Sequence, residues 1–360
     1  MSIVKQSLVG ASGQGGGYTI NDSLRFRSSA TAYLSRTPAS AGNQKTWTWS
    51  GWVKRSNIAG NGVVFAARTG VGAAYFNLVF SSVDDLRIAS NLETAYPLYK
   101  TNALFRDPSA WYHIVVALDM TQATSTNRLK VYINGVLQTT ASYNVPAQNT
   151  NLNVNSTATH LMGQQASGQY LDGYQTEVNF IDGQALTADD FGEYDANGTW
   201  KAKEYTGTYG TNGFYLNGVG VTDQSGNGNN WTNNNLNLST STATTYDQMK
   251  DTPSLVDEDA GNFATLNPIG GGKLVTAGYG NLYQFTTNQT TFAPSGMATI
   301  GIQPNSGKYY FECTVAFTYN AAAYNTQAIS IGIQSNSLIT GRFLDGTNYG
   351  GLETLIQSNG

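Results

Sequence analysis

The segment TWTWSGWVKR, residues 46–55, constrains the fold more than any other stretch of the chain. Alternate side chains of an extended strand point to opposite faces, so Trp47, Trp49 and Val53 share one face and Trp52 takes the other. A strand that is apolar on both sides is a central strand covered on both sides, and packing is the expected role of its tryptophans. The neighbouring segments LRFRSSATAYLSR, GVVFAAR, AAYFNLVFS, DLRIAS and WYHIVVALDM repeat the pattern. They are short, rich in β-branched and aromatic residues, and separated by Gly, Asn and Ser clusters. In RLKVYINGVLQTT, Leu129, Val131 and Ile133 alternate into Asn134-Gly135, a strong hairpin signal, with Val136 and Leu137 opening the return strand.

A second informative stretch is QYLDGYQTEVNFIDGQALTADDFGEY, from Gln169 to Tyr194. Alternation through Val178, Phe180 and Ile181 predicts a strand, which Asp182-Gly183 breaks. Thr187 followed three positions later by Asp190 is a helix-start signature. A strand, a tight turn and one brief helix predict the closing element of a β-sandwich.

At 360 residues the chain is long enough for two or three domains. Charged residues make up 12% of it, against about 25% in ordinary soluble domains. The polar remainder is Asn, Thr, Ser and Gln, while 40% hydrophobic and 12% aromatic residues supply more buriable surface than a disordered chain has. A net charge of −4 gives no footprint for nucleic acid or an anionic membrane. One cysteine, Cys313, excludes an internal disulfide framework. It alternates with Tyr309, Phe311 and Val315, as a buried small hydrophobe would. No signal peptide or membrane-length apolar run is present, so cytoplasmic synthesis without export and no membrane insertion are expected.

The set LRFRSSATAYLSR, WTWSGWVKR, WYHIVVALD, KVYINGVLQT and YLDGYQTEVNFIDGQALTADDF resembles the laminin-G-like, concanavalin-A-like jelly-roll family over residues 21–205. The resemblance implies a two-sheet antiparallel sandwich of a kind that often binds carbohydrate or protein, and it does not imply catalysis. Residues 206–262 are Asn/Gly/Thr-rich and read as a connector with one short strand candidate, GFYLNG. The passages GFYLNG, NGNNWT and YDQMKDTP in it, followed by GNFATLNP at its end, are similar to a connector of large bacteriophage virion proteins, notably tail-fibre-like chains. From residue 263 a second strand set begins, in which SGKYYFECTV and ISIGIQ resemble a SPRY-type β-sandwich. Its length, and the turn-like end Gln357-Ser358-Asn359-Gly360, predict an incomplete second sandwich. Met1 to Thr19 contains Gly13, Gly15, Gly16 and Gly17 and reads as a short N-terminal arm, with Met1, Ile3, Val4, Leu8 and Val9 as attachment residues. Its glycine spacing fits no nucleotide-binding loop.

Catalytic signatures do not emerge. His113 and His160 lie far apart, and no G-x-S-x-G, H-E-x-x-H or C-x-x-C occurs. Concanavalin-A-like folds include glycanases that use carboxylate pairs, so Asp84, Asp85, Glu93, Glu177, Asp182, Asp189, Asp190 and Glu193 are the acids to weigh. None shows the alternating spacing of a strand-borne pair, and Asp189, Asp190 and Glu193 suit a helix start. The run Asp223 to Gly228 partly matches a calcium loop, but position twelve is Asn234 instead of a bidentate Glu, which favours a turn. For ligand binding, the loop ASNLETAYPLYKTN presents Asn91, Tyr96 and Tyr99 as amide and aromatic groups suited to a sugar.

The fold class expected is therefore all-β, with tandem antiparallel β-sandwiches, concanavalin-A-like then SPRY-like, behind an N-terminal arm. The function expected is a non-enzymatic structural and adhesion component of a phage virion, a fibre or similar appendage. Its partners would be other virion proteins and a host surface glycan or protein, in a homo-oligomer with a trimer favoured. No nucleic-acid partner, metal or cofactor is expected. A capsid decoration or head-fibre protein is the first alternative, and a carbohydrate-active enzyme or free lectin the second.

Overall fold

The computed structural model describes residues 17–254 except 59, 71–74, 91–96, 166–168 and 240–244, then residues 261–271 and the strand segments 275–278, 283–286, 296–298, 327–333 and 352–358. The arm residues Met1, Ile3, Val4, Leu8 and Val9 lie outside the described residues. The alternating segments fold as β1 (Ser23–Phe26), β2 (Tyr33–Arg36), β3 (Thr46–Arg55), β4 (Gly62–Arg68), β5 (Tyr75–Phe80), β6 (Asp85–Ser90), β7 (Tyr99–Leu104), β8 (Trp111–Asp119) and β9 (Leu129–Ile133). They continue as β10 (Val136–Leu137), β11 (Thr140–Tyr143), β12 (Thr159–Met162), β13 (Gly173–Asp182), β14 (Gly192–Tyr194), β15 (Trp200–Ala202), β16 (Phe214–Leu216), β17 (Thr232–Asn234) and β18 (Gln248–Met249).

Two antiparallel sheets result. One runs β10-β9-β8-β3-β13-β1-β18, with β16 also paired to β13; the other runs β11-β7-β6-β5-β4-β12-β2-β17. This is the all-β, concanavalin-A-like jelly-roll sandwich expected. Trp47, Trp49 and Val53 of β3, Ile114 and Val116 of β8, and Val178 and Phe180 of β13 face Phe65, Phe76, Leu78 and Ile88 of the second sheet in one buried cluster. Trp47 meets Phe76 edge-on with ring centres 5.5 Å apart. As the alternation demands, Trp52 lies on the opposite face, in a second cluster with Trp111, Tyr174, Ile181, Phe191 and Trp200. The outer face of the first sheet is thus covered, and its cover is the β14–β15 hairpin with the 3-10 turn Ala188–Asp190. That turn carries the expected cap, the Thr187 amide donating to Asp190 Oδ2 at 2.9 Å.

Two elements differ from their sequence reading. First, β13 closes nothing: it lies in the interior of its sheet, with β3 on one side and β1 and β16 on the other. Local alternation reports a strand but not its rank in the sheet. Second, the stretch read as a connector supplies strands to both sheets. Residues of β16 pair with Val178–Phe180, β17 pairs with β2 as an edge, and β18 pairs with β1. Phe214, Leu216, Trp231 and Leu236 from this stretch are buried in the inter-sheet core.

Three ionic anchors fix the same stretch. Asp247, fully buried, receives the Arg25 Nε–H at 3.0 Å and the Arg27 Nε–H at 2.7 Å. Lys54 Nζ donates to Asp251 Oδ2 at 2.8 Å. Asp251 Oδ1 also accepts the Trp111 indole N–H at 2.9 Å.

Further along, β19 (Leu266–Gly271) pairs with β22 (Gly296–Ala298), β20 (Val275–Gly278) with β21 (Tyr283–Thr286), and β23 (Gln327–Ile333) with β24 (Leu352–Ser358). Gln357 and Ser358, read above as turn-like, finish β24 opposite Ala328 and Gln327. The segment GKYYFECTVAF with Cys313, which carries part of the SPRY resemblance, lies outside the described residues.

Candidate functional site

The outer face of the first sheet holds an aromatic depression of about 370 Å³. Its floor comes from Trp52 and Trp111, which sit on adjacent strands: Trp52 pairs with His113 and Lys54 with Trp111. The β14–β15 hairpin adds Tyr194, Gly198, Thr199 and Trp200, and Asn134, Pro253 and Asn262 complete the wall. Trp200 is buried to 8% exposure, whereas Tyr194 is 53% exposed and meets it edge-on at 4.8 Å.

Close packing sets the Trp200 ring. Gly135, at φ +81° in the Asn134-Gly135 turn, and Gly192 both lie so near the indole that a Cβ at either position would run into it. The ring is also oriented by a hydrogen bond, its Nε1–H donating to His113 Nδ1 at 3.0 Å. Because an indole nitrogen only donates, Nδ1 of His113 is unprotonated. The neutral ring's proton is then on Nε2, facing Ser50 Oγ at 2.9 Å. Burial between Trp52 and Trp200 pushes His113 down to about 3. A Ser-His contact thus exists, but Nε2 already carries its proton, so it has no lone pair to take one from Ser50 as a general base must. His160 is fixed likewise, with Nε2 accepting the Asn155 amide at 2.9 Å and Nδ1 donating to the Ala158 carbonyl at 2.8 Å. Burial lowers it to about 4.

Of the sequence candidates for ligand contact, Tyr99 does not line this depression. Tyr99 is 3% exposed on β7, its hydroxyl donating to the Gln138 carbonyl at 3.0 Å. Asn91 and Tyr96 lie outside the described residues. The acids separate into structural settings. Asp84 pairs with Arg55 at 3.1 Å and Asp85 with Arg87 at 2.6 Å, all but Arg87 nearly fully buried. Asp182 accepts the Asn43 amide at 2.9 Å and the Asn155 side-chain amide at 2.6 Å. Glu177 is 7% exposed, with a tyrosine hydroxyl 2.7 Å from each carboxyl oxygen. The calcium-like loop is a hydrogen-bonded turn, in which Asp223 receives N–H groups of Tyr215, Ser225 and Asn229 at 2.8–2.9 Å. Among the described residues, no three His, Cys, Asp or Glu side chains converge on a metal-sized site, and no helix is long and apolar enough to cross a membrane.

With its two eight-stranded antiparallel sheets, the sandwich has the architecture of a jelly roll, and the sequence agrees. Residues 28–191 match the concanavalin A-like lectin/glucanases superfamily. No curated protein sequence matches the chain. Among solved structures, the chain is similar to a heptameric pentraxin from Limulus polyphemus, at 16% identity over 48% of this chain and 80% of that one, with a TM-score of 0.36. A Bacteroides ovatus protein described as carbohydrate binding shares 15% identity over 60% of this chain and 59% of that one, TM-score 0.39. Domain 4 of an arabinanase from Geobacillus stearothermophilus, in complex with arabinotriose, shares 20% identity over 40% and 64%, TM-score 0.33.

Sequence reasoning missed most of the depression in the concanavalin A-like domain. Trp52, Trp111, Asn134, Tyr194 and Trp200 come from four separate stretches. The one signal available was the parity of Trp52, which sets it apart from Trp47 and Trp49.

Proposed function

We propose that the concanavalin A-like domain binds a surface glycan in the depression formed by Trp52, Trp111, Trp200 and Tyr194. The observation that carries this reading is the site itself: aromatic rings bordered by the neutral polar side chains of Asn134, Thr199 and Asn262. Sugars present C–H faces that suit aromatic rings and hydroxyls that pair with amides. Tyr194 is the exposed ring, so Tyr194→Ala is expected to weaken binding on a glycan array about tenfold or more while leaving the unfolding midpoint nearly unchanged. Equal binding by wild type and variant would remove the depression from consideration. Release of reducing ends that disappears in Glu177→Gln would assign hydrolysis instead of simple binding.

The finer reading is that the protein is a non-enzymatic adhesion component of a phage virion, assembled as a homotrimer in a fibre or appendage. The likeness of GFYLNG, NGNNWT and YDQMKDTP to virion connectors supports it, together with the low-charge all-β composition. In this reading the arm, with Met1, Ile3, Val4, Leu8 and Val9, attaches the protein to its virion partners. Deleting residues 1–17 is expected to leave a folded protein that fails to enter particles. Normal incorporation would contradict the attachment role, and labelling on the shell instead of the tail would assign capsid decoration.

A further inference from the structure

Glu177 occupies an unusual place in β13. The partner on one side of that strand changes from β1, paired with Gly173–Gln175, to β16, paired with Val178–Phe180. On the other side the register with β3 shifts between Thr176 and Asn179. This is a β-bulge, and Glu177 adopts φ +51°, the left-handed region that a non-glycine residue rarely occupies. The bulge has a clear steric effect. Gln175 and Val178 face the inter-sheet core, and simple alternation from Gln175 would direct residue 177 there too. The extra residue turns the Glu177 carboxyl instead toward Tyr18 and Tyr215.

Those three side chains form a closed triangle. Tyr18 Oη lies 2.7 Å from Glu177 Oε2, Tyr215 Oη lies 2.7 Å from Oε1, and the two hydroxyl oxygens lie 2.7 Å from each other. Three oxygen–oxygen contacts at hydrogen-bond length need three protons. Two tyrosine hydroxyls and a carboxylate supply two, which would leave one contact with lone pair against lone pair. Two hydroxyls and a neutral carboxylic acid supply three, and the ring then closes with each group donating once and accepting once.

We propose that Glu177 is held as the neutral acid in this ring, and that the ring is a proton-dependent clasp on Tyr18, the residue through which the N-terminal segment joins the sandwich. Tyr18 is not part of β1. Besides the ring, its segment is held by Ile20, which is buried and donates its amide to Ser254 Oγ at 3.2 Å, and further along by Asp22, whose carbonyl accepts from Thr176 at 2.7 Å and whose carboxylate pairs with Lys250 at 3.0 Å. Loss of the Glu177 proton leaves the Tyr18–Tyr215 contact without a proton and so reduces the ring bonds on Tyr18 from two to one, which weakens its hold. The surroundings favour the neutral form. Burial is the largest influence and, with the negative charge of the exposed Glu204, raises the carboxyl to about 7 against the lowering effect of the two hydroxyls. The other titratable neighbour is Tyr209, which stacks on Tyr215 at 6.5 Å and donates to Asn179 Oδ1. The sign follows from the proton count of the ring: the neutral acid completes three hydrogen bonds and the carboxylate two, so the clasp is closed in acid and loosens as the carboxyl loses its proton.

The proposal is independent of what the depression binds. Its test is amide hydrogen exchange of residues 17–22 in the full chain at pH 6 and pH 8.5, corrected for intrinsic rates and normalised to the β1 amides, together with a carbon-13 titration of the Glu177 carboxyl. In wild type, protection of residues 17–22 is expected to fall about tenfold more than that of the β1 amides over this range, and the carboxyl to titrate near 7. Glu177→Gln, whose amide donates and accepts at every pH, is expected to keep the segment protected throughout. Tyr18→Phe, which breaks the ring without touching the bulge, is expected to leave it weakly protected at both pH values. A Glu177 carboxyl titrating in the usual range of about 4 to 5 would overturn the proposal. So would wild-type protection that does not depend on pH, or Tyr18→Phe protection equal to that of wild type at pH 6.

Discussion

Replacing Asp247 with alanine is expected to destabilise the protein by about 3–5 kcal/mol, the penalty typical of removing one partner from a buried ion pair. Asp247 is fully buried between two guanidinium groups that are themselves nearly inaccessible, Arg25 and Arg27. Its Oδ2 also receives the Arg27 Nη2–H and the Asn237 amide, both at 2.8 Å. Alanine leaves two desolvated cations without that carboxylate and a backbone N–H without its acceptor, and nothing in a methyl group offsets either. Asp247→Asn keeps the shape but not the charge, and its loss should fall between the two. Urea unfolding of the three proteins under one set of conditions measures this, and a loss below about 1 kcal/mol for alanine, the level of an exposed pair, would show that the arginines find other acceptors.

A chain ending at Tyr205, where the jelly-roll resemblance ends, is expected not to fold. Truncation removes β16, β17 and β18 together with Phe214, Leu216, Trp231 and Leu236 from the core. Phe214 stacks on Phe180 with ring centres 5.7 Å apart and meets Trp231 edge-on at 5.0 Å. Loss of a single buried aromatic side chain costs about 3–5 kcal/mol. Two of them, with the acidic partners of Arg25, Arg27 and Lys54, are comparable to or larger than the roughly 5–15 kcal/mol that hold an ordinary domain together. Extending the chain to Thr265, past the Phe263 carbonyl that accepts from Lys54 at 3.1 Å, restores these contacts. Dispersed amide resonances are expected from residues 17–265 and collapsed ones from residues 17–205. A folded 17–205 fragment would mean that the late strands are an accessory to the sandwich.

The parts of the fold legible in the sequence are those where one local pattern decides. Trp47, Trp49 and Val53 opposite Trp52 define a two-faced strand because alternation is a property of the strand alone. Asn134-Gly135 defines a hairpin because only such residues take the two positive φ angles it uses, +48° and +81°. Of the late strands, β16 shows in the sequence as the strand candidate GFYLNG, whereas the other two escaped for the converse reason. β17 has three residues and β18 has two, too short for a period to show, and they are held by partners far away in the chain. Asp247 reads as an ordinary acid in a polar stretch until Arg25 and Arg27 are placed beside it. The rank of β13 in its sheet is likewise set by pairing across the chain.

The candidate site was less legible still. Trp200 follows Asn197-Gly198-Thr199, a turn sequence with no strand signature, and the covering hairpin reveals itself only once packed against Trp52 and His113. Tyr99, chosen from a loop-like sequence, is drawn into β7 and the core, with its ring against Tyr143 at 6.0 Å. Glu177 stands in a stretch whose alternation predicts a plain strand, and the bulge that redirects it depends on β13 changing partners from β1 to β16.

The six tryptophans provide a direct test of glycan binding. Trp52, Trp111 and Trp200 line the depression, whereas Trp47, Trp49 and Trp231 lie in the inter-sheet core. When a glycan retained by the wild-type protein on an array is titrated into the nitrogen-15-labelled chain, the indole N–H resonances of Trp52, Trp111 and Trp200 are expected to shift together with one dissociation constant. Those of Trp47, Trp49 and Trp231 should stay in place. Saturable binding that leaves the first three unmoved would contradict the assignment of the depression as the glycan site.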